Sequence, residues 1–387
     1  MKPDNIPVLL SYAFRPFFLM NGIFAMLSIL LWVMTLHGSG LPGITPYWHS
    51  HEMLIGFAMA AVAGFSLTAV ANWTGRPAIK GTPLALLVIF WLAGRLAMLF
   101  SSTWLPASLV FFLDMLFPVM LGWLLSREII AGHSRRNYPL VAIVFLVAGL
   151  NAIYHLGAAQ WLPGGERLAI YLLIHTIVLL VTIIAGRIVP SFSANWLRQQ
   201  GQTEMPVNSD IVNKAALALT ILVGLAASFI PMHPLTGVLA FGAAIAHGLR
   251  LGRWKGLAAI SNPLLFVLHI SYLWLPVGYT LLGCSVFGWL FTPTAALHAL
   301  TMGAIGSMVL AVTTRVALGH TGRPLQAARL TVLAYWLLML AVLVRVLGPL
   351  SGQGYLVMID TSAMGWILAF AIFTWVYWPV LSQPRAN

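Results

Sequence analysis

The stretch TPYWHSHEMLIGFAMAAVAGFSLTAVANWTGRP, residues 45–77, decides the fold. It opens on a Thr-Pro pair, which suits a helix N-cap followed by proline at the first helical position. It then stays apolar for long enough to cross a bilayer, about 20 residues, and closes on Gly-Arg-Pro, where glycine ends a helix and proline forbids its continuation. The stretch recurs at 292–324 as TPTAALHALTMGAIGSMVLAVTTRVALGHTGRP, offset by 247 residues with nine of thirty-three positions identical. The repeated landmarks are Thr45-Pro46, His51, Gly56, Val62 and Thr74-Gly75-Arg76-Pro77, matched by Thr292-Pro293, His298, Gly303, Val309 and Thr321-Gly322-Arg323-Pro324. A third histidine, His175, falls 124 residues after His51 and 123 before His298. The spacing predicts three similar four-helix units, approximately 10–130, 131–256 and 257–387, each placing one histidine in the same helix of its unit.

The rest of the chain has the same character. Hydrophobic residues make up 60% and charged residues only 7%, against roughly a quarter charged in soluble domains. Bilayer-length apolar runs fall near 15–36, 49–72, 82–100, 105–126, 138–158, 167–190, 211–230, 234–251, 257–282, 294–318, 327–347 and 356–380, which predicts an all-α membrane protein of twelve helices. The net charge of +12 is a topology signal and asks for no nucleic-acid partner. Arg76, Lys80, Arg127, Arg135, Arg136, Arg198, Lys214, Arg250, Arg253, Lys255, Arg323, Arg329 and Arg385 lie in even-numbered loops or at the C-terminus, with Arg167 the exception. With Lys2 and Arg15, they predict both termini in the cytoplasm. Helix 1 is long and lacks a small-residue cleavage site, so it is expected to be retained. A lone Cys284 excludes internal disulfides, CxxCH haem attachment and four-thiolate iron-sulfur clusters. The largest loop, 195–213, is too short for a domain, so any chemistry belongs within the bundle or at its faces.

Eleven histidines against eight carboxylates is a skewed ratio, and ionisable groups at membrane depth are functional candidates. A single one is as readily a neutral imidazole bonded to a neighbouring backbone or hydroxyl; the set is harder to explain that way. His51, His175 and His298 are expected at one level near the outer face, where neutral imidazoles suit haem iron or copper. His49, two residues away, points elsewhere and serves another centre or supports the first; Glu52 is placed to fix an imidazole tautomer, or only to favour the helix N-terminus. His155 near the outer end of helix 5 and His269 at mid-membrane in helix 9 are the next ligand candidates, expected in a similar half of the bilayer. His320 and His247 lie toward the cytoplasmic side, and His37, His133 and His233 in loops. Arg187 and Arg315, in the inner halves of helices 6 and 10, need an anionic partner: haem propionates, Asp114 or Asp360 would each suffice. Arg95 and Arg345 sit at outer helix ends and can snorkel to the interface. Asp114 and Asp360 either relay protons or balance arginines.

Phe14-Arg15-Pro16-Phe17-Phe18, Trp48-His49-Ser50-His51-Glu52-Met53, Gly64-Phe65 with Asn72-Trp73-Thr74-Gly75, Gly186-Arg187-Ile188-Val189-Pro190, Leu268-His269 with Tyr272, and His298 leading to Arg315 and Gly319-His320-Thr321-Gly322-Arg323 carry a resemblance to the NnrS family of bacterial membrane proteins. The resemblance implies a multi-pass inner-membrane protein that holds haem, as haem b, and copper, and that acts in nitric oxide metabolism and nitrosative stress. Cofactor-binding positions would be His49, His51, His155, His175, His269, His298 and His320. The metal ligands among them would be His51, His175, His298 and His269, with Glu52, Arg187, Arg315 and Asp114 as catalytic groups. Twelve helices in three arcs also resemble the haem-copper oxidases at the level of fold, although helix 7 carries none of their paired histidines. Two functions compete: reduction of nitric oxide to nitrous oxide with electrons from membrane quinol or a small redox protein, and a non-turnover scavenger, sensor or metal-handling role. A transporter is disfavoured because transport repeats are usually two.

Overall fold

A computed structural model describes residues 6–101, 104–352 and 354–386; Lys2 lies outside the described residues. Among the described residues twelve helices are long and apolar enough to span a membrane. They are α1 (Phe14–Leu36), α2 (Pro46–Thr74), α3 (Thr82–Leu99), α4 (Ala107–Ala131), α5 (Arg135–Ala158), α6 (Gly165–Gln199), α7 (Asp210–Phe229), α8 (Pro234–Gly252), α9 (Pro263–Val286), α10 (Pro293–His320), α11 (Arg329–Leu350) and α12 (Tyr355–Ser382). The protein is thus an all-α membrane protein of twelve spans. Helices suit that environment because every backbone group must find its partner inside the segment where lipid offers none.

Two helix boundaries differ from the sequence expectation in ways that move candidate residues. α6 does not stop at Pro190 but continues to Gln199, for 35 residues. A proline inside a helix removes one amide donor, and the helix continues beyond it, where the Ser193 hydroxyl donates to the Val189 carbonyl at 3.0 Å. The loop expected over 195–213 shrinks accordingly. α9 begins at Pro263, after a separate 3-10 turn at Gly256–Ala259. His269 is then in the second turn of α9, near the end that follows an even-numbered loop, and not at mid-membrane as expected. His155 is near the end of α5 that leads into an odd-numbered loop.

The repeated stretch folds alike in both copies. Thr45 Oγ1 accepts from the Trp48 amide at 3.1 Å and Thr292 Oγ1 from the Ala295 amide at 3.2 Å, each with proline at the first helical position. Directly after the repeated histidine both helices widen into π-helical turns, Glu52–Ala58 and Ala299–Gly306. Such turns are rare and concentrate at functional sites. In the first copy the Gly56 carbonyl accepts from the Trp91 indole at 3.0 Å and the Phe57 carbonyl from the Asn21 amide at 2.6 Å. The repeated glycine serves close approach in both: a Cβ at Gly56 would strike Phe24 and come within 2.9 Å of Arg95, and one at Gly303 would sit 2.7 Å from Trp274. Gly75 and Gly322 close the two stretches at φ 67° and 73°, the left-handed region open to glycine.

The chain forms two compact units. Unit 1 comprises Met1–Leu173, Val316–Pro324 and Phe370–Asn387; its core is aromatic, with Phe14, Phe17, Phe18, Phe57, Phe117, Phe370 and Phe373 fully buried. Phe57 meets Phe370 edge to face at 5.3 Å, a favoured ring geometry. Unit 2 comprises Ile174–Arg315 and Leu325–Ala369 and buries Trp254, Tyr272 and Tyr279 completely.

Candidate metal and proton site

In unit 1 the π-turn of α2 carries two ionisable side chains, His51 and Glu52, both 0% exposed. Adjacent residues on a helix ordinarily diverge by about 100°; here His51 Nδ1 and Glu52 Oε1 are hydrogen-bonded at 2.9 Å. α5 brings Asn151 and His155, four residues apart and so on one helix face. His51 Nε2 lies 2.7 Å from Asn151 Oδ1 and 3.2 Å from Asp114 Oδ2, and His155 Nε2 lies 2.9 Å from the same Asp114 oxygen. The Asn151 amide also donates to Asp114 Oδ2, at 2.7 Å. Arg95 of α3 joins the two carboxylates: Nη1 donates to Glu52 Oε1 at 2.6 Å and Nη2 to Asp114 Oδ1. Tyr154 closes the site by stacking on the His51 ring at 4.4 Å.

Glu52, Asp114 and Arg95 are all buried, so two carboxylates share one guanidinium, and the remaining negative charge is met by a protonated imidazole or by a bound cation. Glu52 Oε2 is buried and has no partner among the described residues. His51, Asp114 and His155 each offer a ligand atom, all within 4.8 Å of one another, and among the described residues they are the one such group. Two imidazoles and a carboxylate suit a transition-metal ion, and Glu52 holding the other nitrogen of His51 is the usual outer support of a ligating histidine. The donor set and its charge therefore fit a metal cation.

Gly94 sets how closely α3 meets α4. A Cβ there would stand 3.0 Å from Asp114 Oδ1 and 3.2 Å from its Cα. Gly94→Ala is expected to force α4 back from Arg95 and to lower stability in an SDS titration by about 1–3 kcal/mol; an unchanged midpoint would show that the helices yield freely there.

The other candidates are placed elsewhere. His49 stacks on Trp32 at 5.1 Å, away from His51. His175, in unit 2, packs its Cβ against Gly224. It is 4% exposed, with neither ring nitrogen partnered among the described residues. A buried imidazole left so is an orphan of the kind that a bound ion or cofactor would satisfy, and its free nitrogens fit a metal or haem iron. His298 Nδ1 donates back to the Thr294 carbonyl of its own helix at 2.8 Å. His269 bonds Ser193 Oγ at 2.9 Å and has Nδ1 unpartnered. His320 lies 5.6 Å from the Phe14 ring in unit 1. Arg187 is half-buried in α6. Arg315 lies over the Phe192 ring at 4.3 Å with Nη1 unpartnered.

Asp114, offered above as a partner for Arg187 or Arg315, is instead the partner of Arg95, and Arg95 does not snorkel: it is 6% exposed and held between two carboxylates. Asn151 and Tyr154 carried no expectation; the signal was an asparagine four residues before a histidine in an otherwise apolar helix. His247, with Thr220 Oγ1 at 2.9 Å and the Tyr272 hydroxyl at 2.7 Å, has both nitrogens satisfied, as a structural histidine would.

The chain is a twelve-span helical membrane protein with a buried histidine–carboxylate cluster at a π-turn. The family described as NnrS protein matches residues 8–385, nearly the whole chain, and this chain belongs to that family. No curated protein matches it. Membership fits a nitric-oxide-related membrane protein and, in general terms, the binding of metal or haem.

Proposed function

We propose that the protein reduces nitric oxide to nitrous oxide at a metal centre held by His51, Asp114 and His155, with haem b bound through His175. The buried cluster of two imidazoles and a carboxylate, with a second carboxylate sharing its one guanidinium, is the observation that carries the reading. The metal is copper, or an iron of the two-histidine, one-carboxylate kind. Bound there, a redox metal supplies a place for nitric oxide to coordinate and a route for electrons.

The protein groups do the rest. Two nitric oxide molecules take up two electrons and two protons; an N–N bond forms, one N–O bond breaks, and nitrous oxide and water leave. Glu52 is the proton-holding group, because Oε2 is unpartnered beside the centre while Oε1 is engaged by Arg95 and His51. Arg95 keeps the two carboxylates from repelling each other, and Tyr154 fixes the His51 ring. Burial excludes bulk water, while an apolar substrate enters through lipid and helix packing. Arg315, with Nη1 unpartnered among the described residues, is the cation offered to a haem carboxylate. Electrons come from membrane quinol or a small redox protein, and the chain lies in the bacterial inner membrane with both termini cytoplasmic.

The test is gas analysis with purified protein, nitric oxide and a reduced quinol, alongside metal and haem content. Steady nitrous oxide formation that Glu52→Gln slows without removing the metal is expected. Stoichiometric uptake with no product would replace the reductase by a scavenger or sensor.

A further inference from the structure

The Thr-Gly-Arg-Pro motif ends two helices, α2 and α10, but its two arginines meet different fates. Arg76 Nε pairs with the buried Glu128 at 2.6 Å. Arg323 reaches only a neutral group, with Nη2 3.4 Å from Gln383 Oε1, and its Nη1 is buried without a partner among the described residues. The same Gln383 is touched from the other side. Arg15, 3% exposed in the first turn of α1, donates through Nη1 to the carbonyls of Leu381 at 2.8 Å and Gln383 at 2.6 Å, and its Nε has no partner among the described residues. Arg385 completes the set: its Nε lies 3.2 Å from where a Cβ on Gly322 would stand. The Ala386 amide donates to the Thr321 carbonyl at 2.9 Å, holding that segment in place.

Three guanidiniums therefore gather where α1 begins and α10 and α12 end, and among the described residues none of them forms an ion pair with a carboxylate. Like charges so placed repel, and buried N–H groups left unmade are costly. An anion resolves both. All three helix ends lie on one face by alternation of spans, at the depth of lipid headgroups, where basic pockets between helices take anionic phospholipids. The guanidinium fork matches phosphate oxygens in pairs.

We propose that Arg15, Arg323 and Arg385 form a binding site for a phosphate-bearing anion, separate from the metal centre and independent of its chemistry. The phosphate belongs to an anionic phospholipid headgroup or is free in solution.

The experiment uses full-length protein, delipidated in a neutral detergent. Thermal stability is followed while phosphatidylglycerol, phosphatidylcholine or inorganic phosphate is added, and retained lipid is counted by native mass spectrometry. Phosphatidylglycerol is expected to stabilise the wild type where phosphatidylcholine does not, and Arg323→Gln/Arg385→Gln to weaken that effect about tenfold. Arg135→Gln/Arg136→Gln removes the same charge from the exposed first turn of α5, and it is expected to leave the response intact. Stabilisation by inorganic phosphate at the same site assigns the free anion; its failure beside a lipid effect assigns the headgroup. No preference for either anion over phosphatidylcholine in the wild type overturns the proposal, whatever the variants do. So does equal weakening in both double variants, or loss of haem from Arg323→Gln/Arg385→Gln with lipid retention unchanged.

Discussion

Arg95→Met is expected to lower stability in an SDS titration by about 3–5 kcal/mol, the range for removing one partner from a buried ion pair. Methionine replaces the aliphatic stem of arginine with little change in packing, so the loss isolates the charge. Glu52 and Asp114, both 0% exposed, would be left facing each other across His51 with no guanidinium between them. The damage should be repaired by removing the anions as well: Arg95→Met with Glu52→Gln and Asp114→Asn should recover most of the stability, because a neutral buried set of similar volume is often as stable as the ionic one. A single-variant loss below about 1 kcal/mol, the scale of a solvated surface pair, would mean that water reaches the cluster and that the site is not the enclosed one described.

The second expected result is a separation of metals. On the proposed assignment, His51→Ala and His155→Ala should each weaken binding of the non-haem metal by an order of magnitude or more, since each removes one of three candidate ligands within 4.8 Å. Haem absorbance should survive both. His175→Ala should do the reverse, losing the haem Soret band while the other metal stays, because its nitrogens engage none of the cluster residues. Parallel loss of both metals in all three variants would refute two independent sites, and retention of haem in His175→Ala would send the ligand search to His269, whose Nδ1 is likewise unpartnered.

Much of this architecture is legible in residues because a bilayer leaves few options. Spans are read from apolar length, and Thr-Pro and Gly-Arg-Pro mark helix ends chemically. What stays hidden depends on direction and depth. Arg95 sits near a helix end, which favours snorkelling on position alone; its inward aim is decided by carboxylates on α2 and α4, and by Gly56 and Gly94 making room. His269 was placed too deep because an apolar run cannot show that Gly256–Ala259 winds as a separate turn before Pro263 starts the helix. Pro190 reads as a stop by local rules, yet tertiary packing carries α6 through it. The Glu52–His51 bond was a visible option from adjacency; that Asn151 and His155 would complete it required knowing which faces of α4 and α5 meet α2.

The paired π-turns have a historical consequence. A π-turn is one residue wedged into an α-helix, and two copies at the same register argue for a single insertion older than the doubling of the sequence around it. Carried on at the same offset of 247, the numbering sets Ala299, Val342 and Thr361 against Glu52, Arg95 and Asp114. The second copy keeps the π-turn and the histidine but has no charge at these three positions, its α11 and α12 carrying Arg345 and Asp360 instead. The shape of this site is thus separable from its charge: the widened helix occurs in both copies, and the buried pairing of Glu52, Arg95 and Asp114 accompanies the first.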